Sequence, residues 1–119
     1  MASEKEKRRA ARYSLRWRIH FASNGHSLSG KTIDVSVSGV SFLSETAVSP
    51  STNAQIRLFL PPSDIVPKGY RLSASAKVVY CILQGKAGFR VGMEFTAMDR
   101  KDSDLLSKCL ESQPYANLS

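Results

Sequence analysis

The chain has 119 residues, of which 42% are hydrophobic and 23% charged; that suffices for one buried core, is too short for two, and is unlike a disordered or collagen-like chain. No apolar run approaches the roughly 18 residues of a membrane span, and the polar N-terminus lacks the apolar stretch of a signal peptide, so a cytoplasmic protein without membrane insertion is expected. The formal net charge of +7 points to an anionic partner, because a basic surface attracts phosphates before any specific contact forms.

The positive charge is concentrated at the start, in Lys5, Lys7, Arg8, Arg9, Arg12, Arg16 and Arg18. Residues 1–13 have no hydrophobic period to offset the entropy of ordering, which predicts a flexible basic arm. From Ser14, "SLRWRIHF" alternates Leu15, Trp17, Ile19 and Phe21 with Ser14, Arg16, Arg18 and His20, the period of a half-buried strand. Asn24-Gly25 marks a tight hairpin turn. A second strand follows from about Leu28, with Ile33, Val35 and Val37 expected on the core face and Thr32, Asp34, Ser36 and Ser38 outward. Gly39 then marks a bend, a bulge or a close backbone approach before "VSFLS" resumes.

Beyond a Ser/Pro/Asn-rich loop at 49–53, "AQIRLFL" predicts another strand, stopped by Pro61-Pro62 for want of amide donors. "YRLSASAKVVYCIL", residues 70–83, is expected to turn Leu72, Ala74, Ala76, Val78, Tyr80 and Ile82 toward the core, and to form a hairpin with "FRVGMEF" through "QGKAG". Only the end has helical spacing, in Leu105, Leu106, Cys109 and Leu110; Asp99 is placed to cap that helix, and Asp102 and Asp104 favour the positive end of its dipole. The chain is thus expected to form one domain over 1–113: the arm (1–13), a small antiparallel β-barrel (14–98) and a C-terminal helix (99–113), with a tail at 114–119.

Residues with catalytic or metal-binding patterns are sparse. Cys81 and Cys109 lie in apolar segments without metal-ligand spacing and are expected to be reduced; His20 and His26 have no spaced partners; neither a Walker loop nor G-x-S-x-G occurs. Neither an enzyme nor a metal site is expected. The arm is more distinctive, because guanidinium forks suit bidentate contact with phosphate or a guanine edge and can stack on a base. Asp34, Ser36 and Gly39 read most simply as a turn-bonding acid, a neighbouring hydroxyl and a bulge glycine. Held among arginines, however, the acid can accept from the N1 and N2 donors of guanine, and a glycine lets a flat ligand approach.

Arg8-Arg9-Ala10-Ala11-Arg12 matches the RxxxR motif, and Asp34-Val35-Ser36-Val37-Ser38-Gly39 the (D/N)xSxxG motif, of PilZ domains. The chain resembles that family over nearly its whole length, through "AKVVY" and "FRVGMEF". The resemblance implies an all-β fold, a six-stranded antiparallel barrel with a C-terminal helix, that binds cyclic di-GMP, a bacterial second messenger, as a non-enzymatic receptor needing no other cofactor. By matching position, Arg8 and Arg12 would clasp phosphates and guanine edges with Arg9 in support. Asp34 and Ser36 would read guanine, and Gly39 would allow close approach.

Further candidates are Lys7, Ser38 and Tyr80. Lys7 stands where the family often has an arginine that helps hold a second dinucleotide, which leaves one or two ligands per chain open. Tyr80 stands where many members carry an aromatic, to stack on a base or to face the core. The arm would wrap the ligand against the barrel and present a new surface to a protein partner. The alternatives are a small basic barrel binding RNA or single-stranded DNA, which explains the charge but not Asp34, and a PilZ-like interaction module that binds no nucleotide.

Overall fold

Alternation of apolar and polar residues, which puts successive side chains on opposite faces of a strand, closes this chain into a barrel. The computed structural model describes residues 10–114. Strands β1 (Arg18–Ser23), β2 (His26–Val35), β3 (Gly39–Ser44), β4 (Asn53–Leu60), β5 (Tyr70–Leu83) and β6 (Phe89–Ala97) are followed by helix α1 (Arg100–Glu111). The strands form a closed antiparallel barrel in the order β1-β2-β3-β6-β5-β4, with β4 returning to β1. Closure leaves no unpaired sheet edge to recruit another chain.

Inside lie Ile19 and Phe21 of β1, Val40 and Phe42 of β3, Ile56 and Leu58 of β4, Leu72 and Val78 of β5, and Val91 of β6. The Phe21 and Phe42 rings meet at 5.9 Å between centroids. The β1–β2 hairpin turns on Asn24 (φ 49°) and Gly25 (φ 80°), the left-handed pair that matches strand twist in a two-residue connection. Pro61 ends β4 directly after Leu60, as its missing N–H requires.

In two places a register shift makes the simple alternation fail. Between Thr32 and Asp34 the β2–β3 register shifts, and the extra residue reverses the phase of the strand. Thr32, expected outside, is fully buried, while Val37, expected inside, is 48% exposed. The Thr32 hydroxyl donates to the Leu15 carbonyl and accepts from the Trp17 amide at 2.9 Å. Its own amide donates to the Trp17 carbonyl at 2.8 Å. Residues 14–17 therefore hold their inward alternation through one threonine, and the first strand begins at Arg18, not Ser14. A second shift, between Val78 and Tyr80, puts Cys81 opposite the buried Val91 and turns Tyr80 and Ile82 outward, against the expected core face; Ile82 is 52% exposed.

Helix α1 adds Leu106, Cys109 and Leu110 to the barrel core. Asp99 occupies its N-cap position without a side-chain bond, so the expected cap is not made; its carbonyl accepts from the Ser103 amide. Asp102 ties the helix to β5, accepting from the Tyr70 hydroxyl at 2.5 Å and the Ser73 amide at 3.4 Å. That bond to Asp102 holds the Tyr70 hydroxyl above its usual pKa, and burial raises the Cys109 thiol. Cys81 and Cys109 are both free thiols. Among the described residues no helix is long and apolar enough to cross a membrane.

Candidate ligand site

The register shifts that upset the alternation also build the site. Asp34, at the end of β2, faces outward opposite Ser41 of β3. Its Oδ1 accepts from Ser41 Oγ at 2.8 Å and its Oδ2 from Arg90 Nη2 of β6, also at 2.8 Å. Arg90 Nε in turn donates to the Tyr80 hydroxyl at 3.2 Å, so β2, β3, β5 and β6 are linked by one polar chain. Arg12 Nη1 lies 3.9 Å from Asp34 Oδ2.

The two cations play unequal parts. The Asp34 side chain is only 16% exposed and Arg90 27%, whereas Arg12 is 50% exposed. Arg90 makes a short charge-assisted hydrogen bond; Arg12 makes a long, solvent-screened contact worth little by itself and easily redirected. Arg12 is brought there by the next residue, because the Tyr13 amide donates to the Val35 carbonyl and the Val35 amide to the Tyr13 carbonyl, each at 2.9 Å. The last residue of the expected flexible arm is thus pinned to β2.

Ser36 and Gly39 act mainly on the backbone. Ser36 Oγ accepts from the Ser38 and Gly39 amides, each at 3.2 Å, and the Ser36 amide donates to the Gly39 carbonyl at 2.9 Å. Ser36 is thus buried inside the turn joining β2 to β3, where it was expected to face outward beside Asp34. A Cβ on Gly39 would come within 2.2 Å of the Met93 carbonyl, so the clearance this glycine gives is to β6. Ser38 Oγ sits 3.2 Å from Ser36 Oγ. On β6, a Cβ on Gly92 would fall 2.1 Å from the Tyr80 ring; glycine there lets the ring lie flat on the barrel wall.

A hollow of about 150 Å³ results, lined by Arg12, Asp34, Ser36, Ser38, Gly39, Tyr80 and Glu94 among others. It holds the carboxylates of Asp34 and Glu94, hydroxyls, an aromatic face and a half-exposed guanidinium. The expected site residues Lys7, Arg8 and Arg9 lie outside the described residues. Arg90 and Ser41 were not anticipated. The outward alternation of Arg90, Gly92 and Glu94 in "FRVGMEF" is the one sequence signal for the first; the second depends on the β2–β3 register.

The closed β-barrel thus carries an open polar hollow on its outer wall, and among the described residues there is no cluster of metal-ligating side chains. The PilZ domain model matches residues 6–112, and the chain belongs to the PilZ domain family. No curated protein sequence matches significantly. Among solved structures, it is similar to the Bacillus subtilis inhibitor of motility MotI/DgrA (11% identity over 86% of this chain and 49% of that one, TM-score 0.74). It is also similar to the PilZ domain of Escherichia coli YcgR with c-di-GMP (17%, 87% and 88%, TM-score 0.60), and to the K. pneumoniae MrkH–c-di-GMP complex (16%, 87% and 50%, TM-score 0.64). The chain spans about half the length of the Bacillus and MrkH chains.

Proposed function

We propose that this chain is a bacterial cyclic di-GMP receptor whose ligand binds in the outer hollow between the N-terminal arm and the β2–β3 turn. The observation that carries this reading is the meeting of the two motifs: Arg12, from RxxxR, and Asp34, from DxSxxG, lie 3.9 Å apart although 22 positions separate them. The solved complexes of YcgR and MrkH with c-di-GMP support the same ligand class here.

Each residue then has a chemical task. Asp34 uses one acceptor site on each oxygen for Ser41 and Arg90, and a carboxylate has about four; the remainder can accept from guanine N1–H and N2–H. Arg12, weakly held, turns to a phosphate or guanine edge, with Arg8 and Arg9 joining from the arm and Lys7 beside them. Ser36 and Gly39 set the turn that presents Ser38 and the carboxylate. Tyr80, flat on Gly92, offers a face for stacking. The ordered arm becomes a new surface for a downstream partner.

Isothermal titration with cyclic di-GMP tests this. A bidentate Arg–guanine contact contributes about 1–3 kcal/mol, so Arg12→Ala or Asp34→Ala weakens binding by roughly ten- to hundredfold. Affinity unchanged in both variants refutes the site. Asp34 also weighs against the RNA or single-stranded DNA alternative, which accounts for the basic arm but gives the carboxylate in the hollow no task.

A further inference from the structure

The wall of the barrel opposite the hollow carries a different chemistry. Register places Lys31 of β2 beside Arg18 of β1, Arg18 beside Phe59 of β4, and Phe59 beside Arg71 of β5. Their chain neighbours Ile19, Leu58 and Leu72 are buried, so this row points outward across four adjacent strands. The row beside it runs Ser29, His20, Arg57, Ser73. Strands β1, β4 and β5 contain no Asp or Glu, and the sole acid of β2 is Asp34, at its far end in the ligand hollow. Since the hollow centres on β3 and β6 and the row on β1 and β4, which lie across the ring from them, the centres of the two faces are opposed, although both reach onto β2 and β5.

Neighbouring strands are about 4.8 Å apart, so Lys31, Arg18 and Arg71 fall within roughly 15 Å of one another. Like charges side by side on a sheet face oppose folding, and none of these three cations has an ion-pair partner among the described residues. The Arg18 guanidinium lies 5.4 Å over the Phe59 ring, which holds it in place without neutralising it. Beside the row a groove of about 590 Å³ is lined by Arg16, Arg18, Phe59, Pro61, Lys68 and Arg71. It joins four cations to a wall of aromatic and proline side chains, Trp17 and Tyr70 included.

We propose that this groove and row dock an extended acidic segment of a partner protein, with carboxylates against Arg18, Arg71 and Lys68 and an apolar side chain against Pro61 and Pro62. An extended chain presents alternate side chains about 6.6 Å apart on one face, which suits a narrow groove with cations on both sides of an apolar floor. A nucleic-acid strand fits less well, because the rings that line the groove are taken up: Phe59 lies under Arg18, Trp17 is buried and the Tyr70 hydroxyl is bonded to Asp102, which leaves bases little to stack on. A membrane fits less well too, because four of the large exposed apolar side chains (Val37, Val79, Ile82 and Leu83) lie outside the β1–β4 wall and only Ile65 is near it. The docking is independent of cyclic di-GMP, being on the opposite wall.

Fluorescence anisotropy of the full chain with a labelled peptide of about eight residues alternating Glu and Val tests the proposal. Arg18→Glu/Arg71→Glu is expected to weaken binding by roughly tenfold or more, and wild-type binding to weaken with added salt. Lys86→Glu/Lys108→Glu, with the same change in net charge on the β5–β6 turn and on α1, is expected to retain binding. Lys31→Glu/Arg71→Glu, which leaves the Arg18–Phe59 contact intact, serves if the first variant melts early. Equal loss in row and control variants, no peptide binding, or tighter row-dependent binding of oligothymidine or phosphatidylserine vesicles overturns the assignment. Calorimetry with cyclic di-GMP on the same variants reports on the hollow alone, so failure of one site is distinguishable from failure of the other.

Discussion

Arg90 ties Asp34 to Tyr80 at the hollow, and replacing it with methionine gives a calculable effect. The change keeps much of the aliphatic stem but removes the 2.8 Å bond to Asp34 and the donor to the Tyr80 hydroxyl. A hydrogen bond to a charged partner contributes about 1.5–3 kcal/mol. Arg90 is 27% exposed and Asp34 16%, so solvent competes for part of this, and Ser41 and Arg12 still face the carboxylate; a net loss of about 1–2 kcal/mol is expected. For a chain of this length that lowers Tm by about 4–8 °C. Thermal unfolding of Arg90→Met, Asp34→Asn and the double variant isolates the pair, with a coupling energy of about 1 kcal/mol expected. Additive losses, with coupling below about 0.3 kcal/mol, would refute the idea that Arg90 positions Asp34.

Thr32→Val preserves shape but strips the Trp17 amide and Leu15 carbonyl of their partner. It should cost about 1–3 kcal/mol in denaturant unfolding, and Thr32→Ser distinctly less. Gly39→Ala drives a Cβ against the Met93 carbonyl, which is backbone, and should destabilise by about 1–3 kcal/mol, whereas the clash of Gly92→Ala is with the Tyr80 side chain and is relieved by adding Tyr80→Ala; melting curves of the three variants separate the cases. Because the bond to Asp102 raises the pKa of Tyr70 in the folded state, native protein holds this proton more tightly than unfolded chain. The contribution is complete below about pH 10, the unfolded value, and is lost as pH rises through the higher folded value. Alkaline melts of Tyr70→Phe should therefore decline less steeply with pH than those of wild type.

Much of the architecture was legible from local pattern. The span of β5, the Asn24-Gly25 hairpin, the stop at Pro61 and the apolar stripe of α1 each follow from interactions within a few residues of one another. The two motifs were readable for the same reason, as short strings of distinctive side chains. Thr32, Val37 and Ile82, and Tyr80 in its core-facing reading, were placed on the wrong faces because a bulge adds one residue to a strand without leaving a mark in its composition. Gly39 and Gly92 were different cases: the first was flagged but the neighbour it clears is 54 positions away, and the second gave no sign of its purpose until the Tyr80 ring lay on it.

The sequence by itself determined that this chain would be a small β-barrel with a terminal helix, and which residues carry the RxxxR and DxSxxG strings, since period and motif are properties of adjacent residues. Only the tertiary structure decided that Asp34 is gripped by Arg90 and Ser41, that Ser36 serves its own turn, and that Lys31, Arg18 and Arg71 form one row without an ion-pair partner among the described residues. Those facts depend on strand register and barrel closure, which bring together residues far apart in the chain, and no local pattern encodes which of them will meet.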